Sequence, residues 1–335
     1  MTRTRVGFIG SGGIAGRHLA DLKGFADVEV VAAADPDRGR AEDFAGRAGA
    51  RAYADWREMM DREAIDALYI CTPPFVHGPP ELAAVERGIP FFVEKPLSAD
   101  AGTAEEIGRR VAEAGLITAV GYHWRYLDTV DEARERLAER AARLVSGYWL
   151  DATPPVGWWG RQAQSGGQFV EQTTHIFDLA RHLVGEVDEV YATGGHDARE
   201  SHPEVDVHTS SAATLRFANG AVGSMLSTCL LNWPHRIGLH LFGDGLAIEL
   251  SEHELIIDTG QGRPVRGAQG DPFVREDRNF IDALQGKPNR IRAPYAEALQ
   301  THRLTMAALR SAREGRPVRP GQELADGARA KREAA

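Results

Sequence analysis

"RVGFIGSGGIAGRHLADL", Arg5–Leu22, is the stretch on which the fold turns. Arg5 to Ile9 reads as a strand, the glycines that follow read as a turn, and an amphipathic helix pattern begins directly after them. Gly10, Gly12 and Ala15 match the spacing G-x-G-x-x-G/A. Gly10 permits the tight turn, Gly12 lets backbone approach a pyrophosphate, and Ala15 lets the helix sit close on its strand. The first helical amides, at Gly13 and Ile14, would then face the anion with the positive end of the helix dipole. A second apolar run, "VEVVAAAD", ends in Asp35, 23 residues after Gly12, where a carboxylate accepts hydrogen bonds from ribose hydroxyls. That charge favours NAD over NADP. Arg38, three residues on, could instead hold a 2′-phosphate and keeps NADP open.

Strand and helix patterns keep alternating as far as "LITAVGYHWRY", which predicts a parallel, doubly wound sheet over residues 1–123. Ligands bind such sheets beyond the carboxyl ends of the strands. Those ends are Gly10, Asp35, Thr72-Pro73-Pro74 with His77 close behind, Glu94-Lys95-Pro96, and Gly121-Tyr122-His123. "FFVEKPLSAD" is the telling case, because an apolar run, Phe91–Val93, stops abruptly at two opposite charges and a proline. Topology puts Thr72, Pro73, His77, Glu94 and Lys95 on the cofactor edge. A solvated loop lysine is the plainer alternative.

From residue 124 the pattern changes to strands with few helices between them, including "RLVSGYWL", "TSSAATLRF", "AVGSMLSTCLL" and "RIGLHLFG". Asn219-Gly220 and Asp244-Gly245 are hairpin turns by composition. Residues 124–325 therefore read as an α+β domain on an open, mostly antiparallel sheet. A helix at about 294–314 and a frayed tail, 326–335, complete the chain. An open sheet face suggests a homodimer or homotetramer. The 335 residues carry a net charge of −9, which lacks the basic footprint nucleic acid needs. No apolar run approaches the roughly 20 residues that cross a bilayer. No signal peptide is expected, and two cysteines in apolar runs suit the cytoplasm. Metal-ligand spacings are missing, so no metal is expected.

"SGGQFVEQTTHIFDLARHLVGE", Ser165–Glu186, is the unusual segment of the second half. Laid on one helix, Glu171, His175, Asp178 and His182 share a stripe opposite Ile176, Phe177, Leu179 and Ala180. A solvated polar face would look the same. Gly166-Gly167 ahead of it would let backbone approach a ligand.

Taken together, "GFIGSGGIAGRH", "CTPPFVHGP", "FFVEKPL", "VGYHWRY", the Ser165–Glu186 segment and "LRFANGAVGS" resemble, in order, the Gfo/Idh/MocA oxidoreductases. The resemblance covers nearly the whole chain. It implies an N-terminal Rossmann domain, a C-terminal α/β domain on an open sheet that commonly forms a dimer or tetramer interface, and a long C-terminal helix, about 294–314, that packs back toward the first domain. It implies that Lys95 reaches between nicotinamide and the substrate hydroxyl, with Pro96 often after a cis peptide. His175 matches the catalytic histidine, and Asp178 the aspartate that helps position substrate. The chain departs from the family's G-G-x-x-x-D-x-G-x-H helix opening, with Glu171 for the aspartate and Thr173 for the second glycine.

Hydride transfer from a carbinol needs a base for the hydroxyl proton and a cation for the developing alkoxide. His175 and Lys95 suit those tasks, and Glu171 would orient or balance them. Trp158, Trp159 and Arg161 precede the helix segment, while Tyr122, His123, Trp124 and Arg125 follow the last parallel strand. Aromatic faces and such donors suit a sugar, cyclitol or sugar-derived substrate, although the tryptophans could equally be hydrophobic plugs. A redox-assisted lyase or glycosidase using the same residues, and a non-catalytic dinucleotide or sugar sensor, are the alternatives.

Overall fold

The computed structural model describes residues 3–322. The expected tail, 326–335, lies outside the described residues. The chain divides into two compact units. The first runs through Ser98 and adds Gly102–Tyr126 and Asp271–Ala298; the second holds Ala99–Ala101, Leu127–Gly270 and, of the described residues, 299–322.

In the first unit the strands are β1 (Thr4–Ile9), β2 (Val28–Ala34), β3 (Arg51–Tyr53), β4 (Ala67–Ile70), β5 (Phe91–Val93) and β6 (Thr118–Val120). All their pairings are parallel, in the order β3-β2-β1-β4-β5-β6. This is the doubly wound dinucleotide-fold order, with its switch point between β1 and β4. Its helices are α1 (Gly13–Leu22), α2 (Arg38–Ala48), α3 (Trp56–Arg62), α4 (Pro79–Glu86) and most of α5 (Ala101–Ala114). Strands β4, β5 and β6 are buried throughout, as sequences covered on both faces must be.

Asp271–Ala298, which the sequence reading assigns to the second domain, belongs to the first unit instead. Asp271 caps the next helix of that unit, residues Pro272–Leu284, by accepting from the Phe273 amide at 3.0 Å. Phe280 and Ile281 on that helix are fully buried in the cluster formed by Phe8, Tyr69 and Phe92. Tyr69 and Phe92 stack at 5.0 Å, and the Phe280 ring meets both edge-on. The apolar face of this helix closes one side of the parallel sheet, which is why a segment so late in the chain returns here.

The second unit holds β7 (Leu144–Ala152), β8 (Val187–Gly195), β9 (Ser210–Phe217), β10 (Val222–Leu231), β11 (Arg236–Gly243), β12 (Leu246–Leu250), β13 (Glu254–Asp258) and β14 (Val265–Gly267). They form one sheet, β14-β13-β12-β11-β7-β10-β9-β8, antiparallel except for the parallel pair β7–β10. Both predicted hairpins form, at Gly220 (φ 85°) between β9 and β10 and at Gly245 (φ 62°) between β11 and β12. Its helices are α6 (Asp128–Glu139), α7 (Gln162–Ser165), α8 (Gln168–Glu171) and α9 (Thr174–Val184). In chain order the Pro272–Leu284 helix is then α10, and α11 (Tyr295–Glu314) continues from the first unit into the second. Helix α9 lies on β7, where a side chain at Gly147 would meet Ile176 Cγ2 at 2.6 Å. Along β10 buried residues alternate with exposed or half-buried ones, Val222 and Leu226 among them, as in a sheet with one covered face.

Candidate functional site

The glycine loop sits at the switch point. Gly10 has φ 91°, and a side chain there would collide with the Cys71 carbonyl at the end of β4, so only glycine fits. Gly12 and Gly13 are the opposite case, with nothing within 4 Å of where a Cβ would stand. That leaves open space in front of the first α1 amides. Ser11 Oγ and Thr72 Oγ1 border the same switch point as buried polar atoms without a hydrogen-bond partner among the described residues. An open cradle, a helix N-terminus and two unsatisfied hydroxyls fit a dinucleotide pyrophosphate.

Asp35 is buried and tied to this loop. Its Oδ2 accepts from the Ser11 amide at 3.0 Å; its Oδ1 accepts from the Asp37 amide at 2.9 Å and from Arg40 Nη2 at 3.1 Å. Arg40 Nε adds a longer bond to Oδ1 at 3.4 Å, whereas Oδ2 takes the Ser11 amide alone, so a lone pair on Oδ2 remains for a ribose. Arg38 does not reach Asp35. It pairs with Glu42 at 2.8 Å on the helix surface, its side chain 83% exposed. The arginine at the carboxylate is Arg40, which the sequence reading passed over. Asp35→Ala is expected to leave Arg40 with only the more distant Asp37, 3.7 Å away, as counter-charge, and to narrow the NAD-over-NADP preference by about tenfold or more, the worth of one charge-assisted hydrogen bond. Steady-state kcat/KM with each nucleotide checks this.

Beyond β4, Thr72 and Pro73 lead into a short 3-10 turn, Pro74–Val76. His77 is buried and braces this turn, with Nε2 3.0 Å from the Thr72 carbonyl and Nδ1 3.0 Å from Glu81 Oε1. Burial disfavours its charged form, but Glu81, the Thr72 carbonyl and Glu94 together outweigh burial and raise its pKa. His77 therefore holds the loop from behind.

At the end of β5, Glu94 turns into the core. It is 5% exposed, its Oε1 lies 3.1 Å from His18 Nε2, and its Oε2 accepts from the Lys95 amide at 3.2 Å. Glu94 is thus a buried brace, which differs from the cofactor contact expected of it. Any side chain at Gly121 would collide with this carboxylate. Lys95 itself is partly buried, and the Lys95–Pro96 peptide is cis.

Past β6, the four residues expected to touch substrate have different fates. Tyr122, Trp124 and Arg125 are 1–2% exposed. The Arg125 guanidinium donates to the Arg292 carbonyl at 2.9 Å and to Glu297 at 3.1 Å, so it fastens the returning segment inside the first unit. His123 alone is partly accessible, stacked on Phe273 with centroids 4.1 Å apart.

In the second unit, Ser165–Glu186 does not form the continuous helix expected. Gly166 (φ 76°) and Gly167 (φ 84°) break it first, and a second break falls at Gln172–Thr173. Thr173 Oγ1 bonds Ser227 Oγ at 2.7 Å, and Gln168 Nε2 donates to the Thr228 carbonyl at 3.0 Å, so β10 fixes the breaks. Glu171 therefore ends α8, while His175 and Asp178 sit on α9. Neither is on a solvated face, because every residue from Gln168 to Arg181 is buried. His175 is 4% exposed, and its ring stacks on Trp149 at 5.9 Å. Asp178 Oδ1 accepts from Thr301 Oγ1 at 2.6 Å, and Thr301 Oγ1 accepts from Arg181 Nη1 at 2.7 Å.

Of the tryptophans, Trp159 is a plug, 1% exposed among Val205, Val207 and Cys229. It also has a polar task. Its Nε1 donates to Glu171 Oε2 at 2.7 Å. Trp158 is partly accessible beside it and Arg161 is exposed. Trp159→Phe keeps most of the packing and removes the donor, which is expected to cost about 1.5–3 kcal/mol, the range for a hydrogen bond to a carboxylate. Urea unfolding compared with wild type reads that difference.

The sequence reading missed Arg40, Thr301, His18 and the α10 acids Glu276 and Asp277. The Asp271-Pro272 start, a cap followed by proline at the first helical position, was the available signal for α10. Nothing local signalled the pairing of His18 with Asp277, 259 residues apart.

The chain matches two family models: "Oxidoreductase family, NAD-binding Rossmann fold" over residues 4–122, and "GFO/IDH/MocA C-terminal domain" over residues 140–249. It is 28% identical to scyllo-inositol 2-dehydrogenase (NAD(+)) of Bacillus subtilis over 72% of either chain. It is 26% identical to myo-inositol 2-dehydrogenase of Thermotoga maritima, over 85% of this chain and 89% of the relative. Among solved structures, a levoglucosan dehydrogenase in complex with NADH has the same fold, with TM-score 0.83 at 23% identity over 95% of this chain and 99% of that one. With the glycine loop at the switch point, Lys95 at the end of β5 and His175 on α9, these matches show that the chain belongs to the Gfo/Idh/MocA family of oxidoreductases, with an NAD-binding Rossmann domain.

Proposed function

We propose that the protein is an NAD-dependent dehydrogenase that moves a hydride between nicotinamide and a hydroxyl-bearing carbon of a cyclitol or sugar. The observation that carries this reading is a lysine at the end of a rigid, buried strand of the dinucleotide sheet, in a chain whose relatives include inositol dehydrogenases. Bound NAD supplies the hydride acceptor. The chain's own residues do the rest. Gly12, Gly13 and Ile14 receive the pyrophosphate, with Ser11 and Thr72 beside it, and Asp35 receives the ribose. The Lys95 ammonium steadies the negative charge that grows on the substrate oxygen as its proton leaves. His175 takes that proton. Asp178, tied to Thr301, and Glu171, tied to Trp159, hold α9 and α8 in register with the substrate rather than reacting with it.

Of the expected substrate residues, His123, Trp158 and Arg161 have the exposure such contacts need, whereas Tyr122, Trp124, Arg125 and Trp159 are enclosed. We further propose that the open face of the second sheet, with Val222, Leu226 and Tyr191 each more than two-fifths exposed, joins copies of the chain as a dimer or tetramer. Among the described residues no helix is long and apolar enough to cross a membrane. A cytoplasmic setting suits the two buried free thiols, Cys71 and Cys229.

The test is net NADH formation from NAD and a panel of inositols, sugars and sugar acids. A dehydrogenase accumulates NADH as substrate is consumed. Turnover without net NADH would point to internal redox cycling instead.

A further inference from the structure

The first unit buries a charged cluster directly behind Lys95. His18, on α1, is fully enclosed by the rings of Tyr69, Phe92 and Phe273. Its Nδ1 lies 2.9 and 3.0 Å from the two oxygens of Asp277, and its Nε2 lies 3.1 Å from Glu94 Oε1. A neutral imidazole offers one donor and one acceptor, whereas ionised carboxylates only accept. Two carboxylates on one ring therefore call for a proton on each nitrogen. Buried charges persist only when paired, and here one imidazolium stands between two carboxylates. Glu94 passes the constraint on through its other oxygen, which takes the Lys95 amide, while Gly121 closes over it.

We propose that Asp277, His18 and Glu94 form a buried charge relay that fixes the Lys95 turn, which makes His18 a positioning residue for the lysine ammonium. The inference rests on the reading that Lys95 carries chemistry. It goes beyond that reading by assigning a task to three core residues that never meet substrate.

The surroundings agree. Burial disfavours the charged His18, but Asp277 and then Glu94 outweigh it and push its pKa well above the usual histidine value. The other titratable groups that interact with the cluster are Arg17 and Asp21 on α1, Tyr69 and Cys71 around β4, His77 in the turn after β4, and Glu276 on α10. Glu276 is 1% exposed, and neither carboxyl oxygen has a hydrogen-bond partner among the described residues. Burial raises its pKa strongly, which disfavours a third negative charge beside the cluster. Donor atoms of His18, Glu94 and Glu276 lie within 4.8 Å of one another, close enough to suggest a metal. An imidazole protonated on both nitrogens has no lone pair to give one.

A histidine whose folded pKa is raised contributes stability that is fully present below its unfolded value, about 6.5. That contribution is lost as pH rises through the folded pKa, so His18 weakens the protein on the alkaline side.

The experiment is NMR of the whole chain labelled with ¹⁵N-histidine, with His18 assigned by its absence in His18→Gln. The expected result is a doubly protonated His18 that persists at mildly alkaline pH while exposed histidines lose their protons. In Asp277→Asn, His18 should titrate nearer neutral pH. Its kcat should fall on the order of ten- to a hundredfold, the effect of a displaced reacting group. The KM for NAD should stay close to wild type, and the kcat profile should gain a pH limb that wild type lacks. If Asp277→Asn does not fold, Glu94→Gln, which keeps the side-chain shape, is read the same way. A His18 that titrates with the exposed histidines, a stoichiometric metal in the purified protein, or a variant with unchanged kcat and pH profile would overturn the relay. Turnover surviving in Lys95→Met would remove the functional reading instead, and the NMR result would stand apart from it.

Discussion

Lys95→Met is expected to lower turnover by about a hundred- to a thousandfold, the loss seen when one stabiliser of developing charge is removed, with NAD affinity within a few-fold of wild type. Methionine keeps the apolar stem and removes only the ammonium, so the variant separates charge from packing. The backbone around Lys95 is rigid. β5 lies between β4 and β6 in the sheet, and all three of its residues are fully buried. The Glu94 amide bonds the Ile70 carbonyl at 2.9 Å, and the Gly121 amide bonds the Val93 carbonyl at 3.1 Å. A turn pinned on both sides does not rearrange to replace a missing charge. The proposed cofactor contacts, Gly12, Gly13 and Asp35, are left in place by the substitution. Steady-state kinetics beside a direct NAD titration check both halves of the expectation, and near-normal kcat would end the assignment of Lys95.

His175→Ala is expected to cost about a hundred- to ten-thousandfold in kcat, the range for a positioned general base. The ring is held from the side by Trp149 and at the backbone by the first turn of α9, where its amide bonds the Gln172 carbonyl at 3.3 Å. A group locked this way on a helix meets a substrate hydroxyl without first losing side-chain freedom. If His175 is the base, the remaining activity should climb with pH as solvent hydroxide takes over the proton. A loss of activity with a flat pH response would make His175 a packing residue instead.

Features whose chemistry is local were legible in the sequence. Gly10, Gly12 and Asp35 announce a nucleotide edge because a tight turn, a close approach and a ribose acceptor each demand one residue type at one spacing. The hairpins at Gly220 and Gly245 were equally plain. The sheet of the second unit was legible as mostly antiparallel, but not its central parallel pair, because partner choice depends on residues far apart in the chain.

The site was less legible wherever polar residues face inward. Glu171 fits one stripe with His175 only if the helix is continuous, and the breaks depend on Ser227 and the Thr228 carbonyl, which are distant in sequence. Arg38 and Arg40 look equivalent near Asp35 until the helix direction aims one at Glu42 and the other at the carboxylate. Arg125 and Trp159 have the composition of ligand contacts, yet both are buried and donate to partners within their own unit. On α10, Glu276 and Asp277 resemble a solvent face, and only the return of that helix to His18 turns them into a core.

The most direct measurement is NADH formation by the wild-type protein with NAD and a panel of inositols, monosaccharides and sugar acids, run beside Lys95→Met. The account predicts that at least one cyclitol or sugar gives NADH in step with its own oxidation, and that the signal disappears in the lysine variant. An equal signal from the variant, or a protein that binds NAD yet oxidises nothing in the panel, would contradict it.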